Sequence, residues 1–272
     1  MSHIRNKEEL LNLSKYLEKI KNNIDNSTIK EILNDITPKN EDNKNLTGIV
    51  ITNGKLLPAA YMPNFNTINI SINAFEKTTD DTAKLLCEEF NINDEKTITN
   101  LRAYYRLFAL LHESEHAYQF AIAKNLCPFK YKEVQAGYKN IADRLLVKKR
   151  VIPNPFQEIK SAISFFKYQK NAYSYVLERN ASTEALDDIM YIADKNNEEK
   201  VKELLNELYL SMLLIGYEND TKGAMYRTHK ELFLLKKYQK IEQDNSMSEE
   251  ERLRFGLSIK EETRKKLLTK IK

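Results

Sequence analysis

Cysteine is scarce in this chain. Cys87 and Cys127 are the only two among 272 residues, far apart and in no C-x-x-C pair. That excludes a disulfide framework and a paired-thiol redox motif, and neither thiol has a histidine near it in sequence to make it a nucleophile. Long apolar runs are missing too. The longest, from Leu204 to Tyr217, is broken by Asn206, Glu207 and Ser211 and is too short to span a bilayer. The opening Met1-Ser2-His3-Ile4-Arg5-Asn6-Lys7-Glu8 lacks the apolar stretch of a signal peptide, so residence in the cytoplasm is the expectation. A charge excess is also absent. The 43 basic and 39 acidic residues are well mixed and leave +4, mild for a nucleic-acid binder. The clusters Lys148-Lys149-Arg150 and Arg264-Lys265-Lys266 read as solvated helix faces, the second with Glu261 and Glu262 beside it. No internal repeat is visible. Neither membrane nor nucleic acid is expected as a partner, and 42% hydrophobic content suffices for a core.

Histidine is sparse too, and that makes its placement informative. Two of the four histidines lie in His112-Glu113-Ser114-Glu115-His116, which reads H-E-x-x-H. Leu101, Tyr104, Tyr105, Phe108, Leu111, Phe120 and Ala123 recur at helical intervals around it, and no Gly or Pro intervenes before Pro128. On a helix, residues four apart share a face, so two imidazoles at this spacing can take adjacent corners of a zinc tetrahedron. Glu113 and Glu115 lie on opposite sides of that pair, each rotated by roughly 80°. Geometry alone does not choose between them.

The rest of the chain is mostly helical in pattern. An amphipathic helix is expected over 8–24, with Leu10, Leu13, Leu17, Ile20 and Ile24 on one stripe, and a second over 27–36. An Asn-rich linker, Pro38–Asn45, precedes the β-region. There Gly48–Thr52 reads as a strand, Asn53-Gly54 as a tight hairpin turn, and Lys55–Met62 as a returning strand that Pro58 confines to an edge. Thr67–Asn73 alternates polar and isoleucine residues, which predicts a strand with its isoleucines inward. Helical periodicity returns over 131–149, 156–170, 177–195, 198–216 and 222–241. Two short helices with capping boxes, Ser248-x-x-Glu251 and Ser258-x-x-Glu261, follow with Gly256 between them.

The motif and the order of sheet, H-E-x-x-H helix and later acidic helix resemble a gluzincin-type zinc metallopeptidase. The likeness is to compact proteins of bacterial mobile elements and phages. The resemblance implies an α+β, mostly α, zincin-like fold, in which a small antiparallel sheet precedes the active-site helix and a helical C-terminal half follows. It also implies Zn2+, general-base chemistry by Glu113, and an extended peptide paired to an edge strand. Glu115 then becomes a supporting partner or a solvated residue. No third histidine follows at metzincin spacing, where Gln119 and Ile122 stand, so the third ligand is implied to be a glutamate on a later helix. Glu178, with Ala181 three places on, fits one family pattern. Glu184 with Asp188, which would orient a ligand histidine, fits another. Helix phase favours Glu178, which lies on the stripe of Ala181, Ala185, Ile189 and Ile192, while Glu184 is rotated from it by roughly 120°. Tyr226 and His229, in Tyr226-Arg227-Thr228-His229, are the candidates to stabilise an oxyanion.

The expected organisation is an N-terminal helical segment (1–45), a metallopeptidase core (46–195) with a helical insertion at about 130–170, and a C-terminal helical region (196–272). The expected activity is zinc-dependent endopeptidase cleavage of a protein or peptide substrate. Two other classes fit the same residues: a zincin-fold protein that binds or regulates without turnover, and a metal-free helical interaction protein. Oligomeric state is not readable from the chain.

Overall fold

A computed structural model describes residues 5–54, 58–127, 131–148, 177–178 and 180–215. They divide into two compact units. The first comprises 5–138 with 181–206. The second is described at 139–148, 177–178, 180 and 207–215, all of them helical. The expected helices at 156–170 and 222–241, both C-terminal capping boxes and most of the insertion beyond 148 lie outside the described residues.

The first unit is α+β and mostly helical. It opens with α1 (Lys7–Leu13), α2 (Lys15–Ile20) and α3 (Asn26–Ile36). The single helix expected over 8–24 is broken at Ser14, whose hydroxyl donates to the Leu11 carbonyl at 2.5 Å in place of regular helix bonding. The apolar stripe survives the break: Leu10, Leu13, Leu17, Ile20 and Ile24 are all buried. Asn6 and Glu9 form a capping box at α1, and the Asp25 carboxylate caps α3 by accepting from Thr28 N–H at 2.8 Å.

Strands β1 (Gly48–Thr52), β2 (Ala59–Met62) and β3 (Thr67–Ser71) form a mixed sheet of order β1-β3-β2. β1 runs parallel to β3, with Gly48 opposite Thr67, and β2 runs antiparallel to β3, with Tyr61 opposite Ile68. This corrects the expected antiparallel sheet and its hairpin at Asn53-Gly54. A two-residue hairpin of that type needs positive φ at both residues, and neither Asn53 nor Gly54 has it. The centre goes instead to β3, the strand with the cleanest alternation, whose Ile68 and Ile70 are fully buried. β2 sits at an edge, as Pro58 requires.

β3 also ends earlier than its alternation suggests. From Ile72 the buried residues switch to helical spacing, Ile72, Phe75, Thr79, Ala83 and Leu86, and form α4 (Ile72–Glu89). Next comes α5 (Glu95–Leu126), 32 residues and about 48 Å long, capped by Asp94. α2, α3 and α4 pack on it, as do β2 and β3. Partners on several sides explain why Leu101, Leu107, Leu110, Leu111 and Ala117 have no exposure. α6 (Tyr131–Lys148) follows, then α7 (177–178 and 180–195) and α8 (Glu199–Ile215).

α6 approaches α5 through a glycine. A Cβ on Gly137 would stand 2.5 Å from the Ala123 carbonyl oxygen and 2.9 Å from its Cα. Backbone cannot rotate aside, so Gly137→Ala is expected to lower stability by roughly 1–3 kcal/mol. A thermal-unfolding midpoint equal to that of the unsubstituted chain would show that α6 is free to shift.

Candidate metal centre

His112 and His116 occupy successive turns at the middle of α5, with Glu113 next to the first, where packing on both flanks holds the helix. The two imidazoles meet through their Nε2 atoms at 3.1 Å. Two such nitrogens cannot both point bare lone pairs at each other. They need either a proton or a cation between them. For ligand bonds of 2.0–2.1 Å the edge of a zinc tetrahedron is about 3.3 Å, close to the separation seen.

The far side of each ring is held. His116 Nδ1 lies 2.9 Å from Gln119 Oε1, and His112 Nδ1 lies 3.0 Å from Ser182 Oγ on α7. An amide oxygen only accepts, so this contact puts the His116 proton on Nδ1 and turns the Nε2 lone pair toward His112. Partners of this kind set ring orientation and raise ligand basicity at metal sites. Glu178 completes the group. Its carboxylate and the nitrogens of His112 and His116 all lie within 4.8 Å of one another, a set that could hold a metal ion. Glu184 is not in that group. Tyr226 and His229 lie outside the described residues.

Glu113 points elsewhere. Its half-buried carboxylate accepts the backbone N–H of Tyr61 at 2.6 Å. An edge strand leaves amides without sheet partners, and this one on β2 is taken by the acid of the motif. The Tyr61 ring stacks on His116, centroids 6.4 Å apart and planes 21° apart. Its phenol donates to Asn66 Oδ1 at 3.0 Å, and burial together with the neighbouring Tyr138 pushes it well above the usual phenol range. Asn66 itself adopts a left-handed conformation, φ 49°, which asparagine tolerates, and its Nδ2 donates to the Leu46 carbonyl at 2.7 Å.

Glu115 is not a solvated helix residue. It is 2% exposed and accepts from Arg5 Nη1 at 2.6 Å, while the same nitrogen donates to Asp188 Oδ2 at 2.7 Å. Asp188 therefore holds Arg5 and not a ligand histidine, the role its pattern implied. The Arg5 side chain is itself 4% exposed. Burial opposes its charge, and the two carboxylates more than offset that and raise its pKa above the usual value. For the acids, burial dominates and the single guanidinium only partly counters it: Glu115 is pushed up to about 7 and Asp188 to about 6.

The Asp188 shift has a signed consequence. A carboxyl with a raised folded pKa binds its proton more tightly in the folded chain, so its stabilising contribution is complete below 3.8 and is lost as pH rises through about 6. The loss is on the order of 2–3 kcal/mol. Urea unfolding of chelator-treated protein between pH 4 and 6.5 is expected to show stability falling with pH. Asp188→Asn should flatten that slope, and an unchanged slope would count against it.

Four residues of this site were not singled out from the chain: Tyr61, Arg5, Gln119 and Ser182. Gln119 had a signal, since it follows His116 by three places and shares its helix face; Ser182 had a weaker one, four places after Glu178. Arg5 and Tyr61 had none, because their roles depend on how separate elements dock. Among the described residues no helix is long and apolar enough to cross a membrane. No known family, curated protein or solved structure matches this chain.

Proposed function

We propose that this protein is a zinc-dependent metallopeptidase of zincin type, acting on a protein or peptide. The observation that carries the reading is the convergence of His112 and His116 Nε2 at 3.1 Å, each ring anchored behind by its own hydrogen-bond partner, with Glu178 within reach. Two imidazoles and one carboxylate are the donor set of many catalytic zinc sites, which use three protein ligands and keep a position open. The donors present fit that ion: borderline nitrogens favour zinc over calcium or magnesium, which prefer all-oxygen shells. Bound there, zinc would supply a Lewis acid that polarises a carbonyl and acidifies water.

The chain's own residues supply the rest. Glu113 would be the base, taking a proton from the attacking water and returning it to the leaving amine nitrogen. The Tyr61 amide and the ring stacked on His116 tie this base and one ligand to the same edge strand. A peptide added along β2 would bind by main-chain hydrogen bonds, a mode that reads few side chains, and would run past Glu113.

Metal content by mass spectrometry, on protein purified without chelator, tests the site. One zinc per chain is expected, lost in His112→Ala and in Glu178→Ala and kept in Glu184→Ala. Absence of zinc in fresh protein, with none taken up on titration, would overturn the reading. Retention in Glu178→Ala with loss in Glu184→Ala would move the third ligand.

A further inference from the structure

Arg5 donates four side-chain hydrogen bonds, and metal binding and base chemistry do not use it directly. Its Nη1 donates to Glu115 on α5 and Asp188 on α7, and its Nη2 donates to Ser114 Oγ at 3.0 Å and to the Ile36 carbonyl at 3.2 Å, at the end of α3. Ser114 Oγ also donates to the Ile36 carbonyl at 2.6 Å. The guanidinium carbon lies 5.5 Å from the centroid of the Tyr118 ring. One planar fork therefore joins three helices distant in sequence.

The place of the fork matters. Glu115 and Ser114 lie between His112 and His116, and Asp188 lies on the helix that carries Ser182, the partner of His112 Nδ1. α5 and α7 thus meet at His112, through Ser182, and at the ion pair behind it. Without a cation the ion-pair point would set the buried Glu115 and the half-buried Asp188 carboxylates against each other and push the helices apart. We propose that Arg5 is the positioning residue of the metal centre, fixing the separation of α5 and α7 so that His112 and His116 keep the geometry that binds metal. This rests on the metal-centre reading above. Arginine is suited to the role because its fork can reach both acids at once, whereas a lysine ammonium is a point charge on a flexible stem.

The test separates positioning from plain stabilisation. The 272-residue chain and its Arg5→Lys and Arg106→Lys variants are compared below their unfolding temperatures. Arg106 is the control because it too is a buried arginine, here on α5, yet its hydrogen bonds go to α2, the residue Asn22 and α4. Zinc affinity is read by competition with a chromogenic chelator, and ligand geometry by the visible absorption of the Co2+-loaded protein. Arg5→Lys is expected to weaken zinc binding about 10–100-fold, the cost usual for a supporting partner, and to change the Co2+ spectrum. Arg106→Lys should lower the unfolding temperature while leaving affinity and spectrum as in the parent chain. Should Arg5→Lys fail to fold, the triple variant Arg5→Met/Glu115→Gln/Asp188→Asn leaves no buried charge and is read the same way. Parental affinity and spectrum in whichever of these variants folds would reduce Arg5 to a stabilising residue and overturn the proposal. If the parent chain itself binds neither zinc nor Co2+, the metal-centre reading fails, and the positioning role falls with it.

Discussion

Glu113→Gln is expected to lower peptide hydrolysis by about 10²–10⁴-fold while leaving zinc content at the parental level. The factor is that of a positioned general base, and the substitution removes the base without altering shape. Glutamine keeps an oxygen for the Tyr61 N–H, which now donates to Glu113 at 2.6 Å, so the edge strand and the helix have no cause to separate. His112 and His116 keep Ser182 and Gln119 behind them and are not touched. Hydrolysis of a quenched fluorescent peptide mixture, measured beside metal content, checks both halves. Undiminished cleavage would remove Glu113 from the chemistry; zinc lost together with cleavage would make it structural. Glu115→Gln is the informative companion. Glu115 is buried against Arg5, out of contact with solvent, so its substitution should act on folding before it acts on rate.

The second large effect is on stability. Arg106 has no exposure, and its guanidinium donates to the Ile20 carbonyl at 2.5 Å, the Asn22 carbonyl at 3.4 Å, Thr79 Oγ1 at 3.2 Å and Asp80 Oδ1 at 2.7 Å. The α2 terminus is left with carbonyls that no helix bond satisfies, and a side chain from α5 serves them. Arg106→Ala would leave those oxygens unsatisfied, strip Asp80 of its buried partner and open a cavity. A loss of roughly 3–5 kcal/mol is expected. Burial lowers the Arg106 pKa, and Asp80 only partly opposes that, yet an arginine begins so far above neutrality that it stays charged. Urea unfolding measures the change, and a loss below about 1 kcal/mol would mean that water replaces the arginine at α2.

Local regularities carried over from chain to structure, because they follow from the backbone's own periods. The 3.6-residue repeat placed His112 and His116 on one face of α5, and the buried stripe from Leu10 to Ile24 survived even a break in its helix. The period-two run at Thr67 buried Ile68 and Ile70 as its alternation required. It did not reveal that β3 would take the centre. Strand order depends on which neighbour offers the better-packed face, and no local pattern records that. The hairpin at Asn53-Gly54 failed for the same reason: the dipeptide permits a type I′ turn but does not enforce one against a better pairing.

Glu113 and Glu115 show the same division at the site. In the chain they are equivalent, a glutamate on each flank of a histidine pair. Docking of β2 brought the Tyr61 amide to Glu113, and docking of the N-terminal segment and α7 brought Arg5 and Asp188 to Glu115. The sequence by itself determined which residues could share a helical face and hence the two histidines of the candidate metal centre. Only the tertiary structure decided which acid faces the strand edge and which is buried against a cation, because that choice depends on contacts 52 and 110 residues apart along the chain.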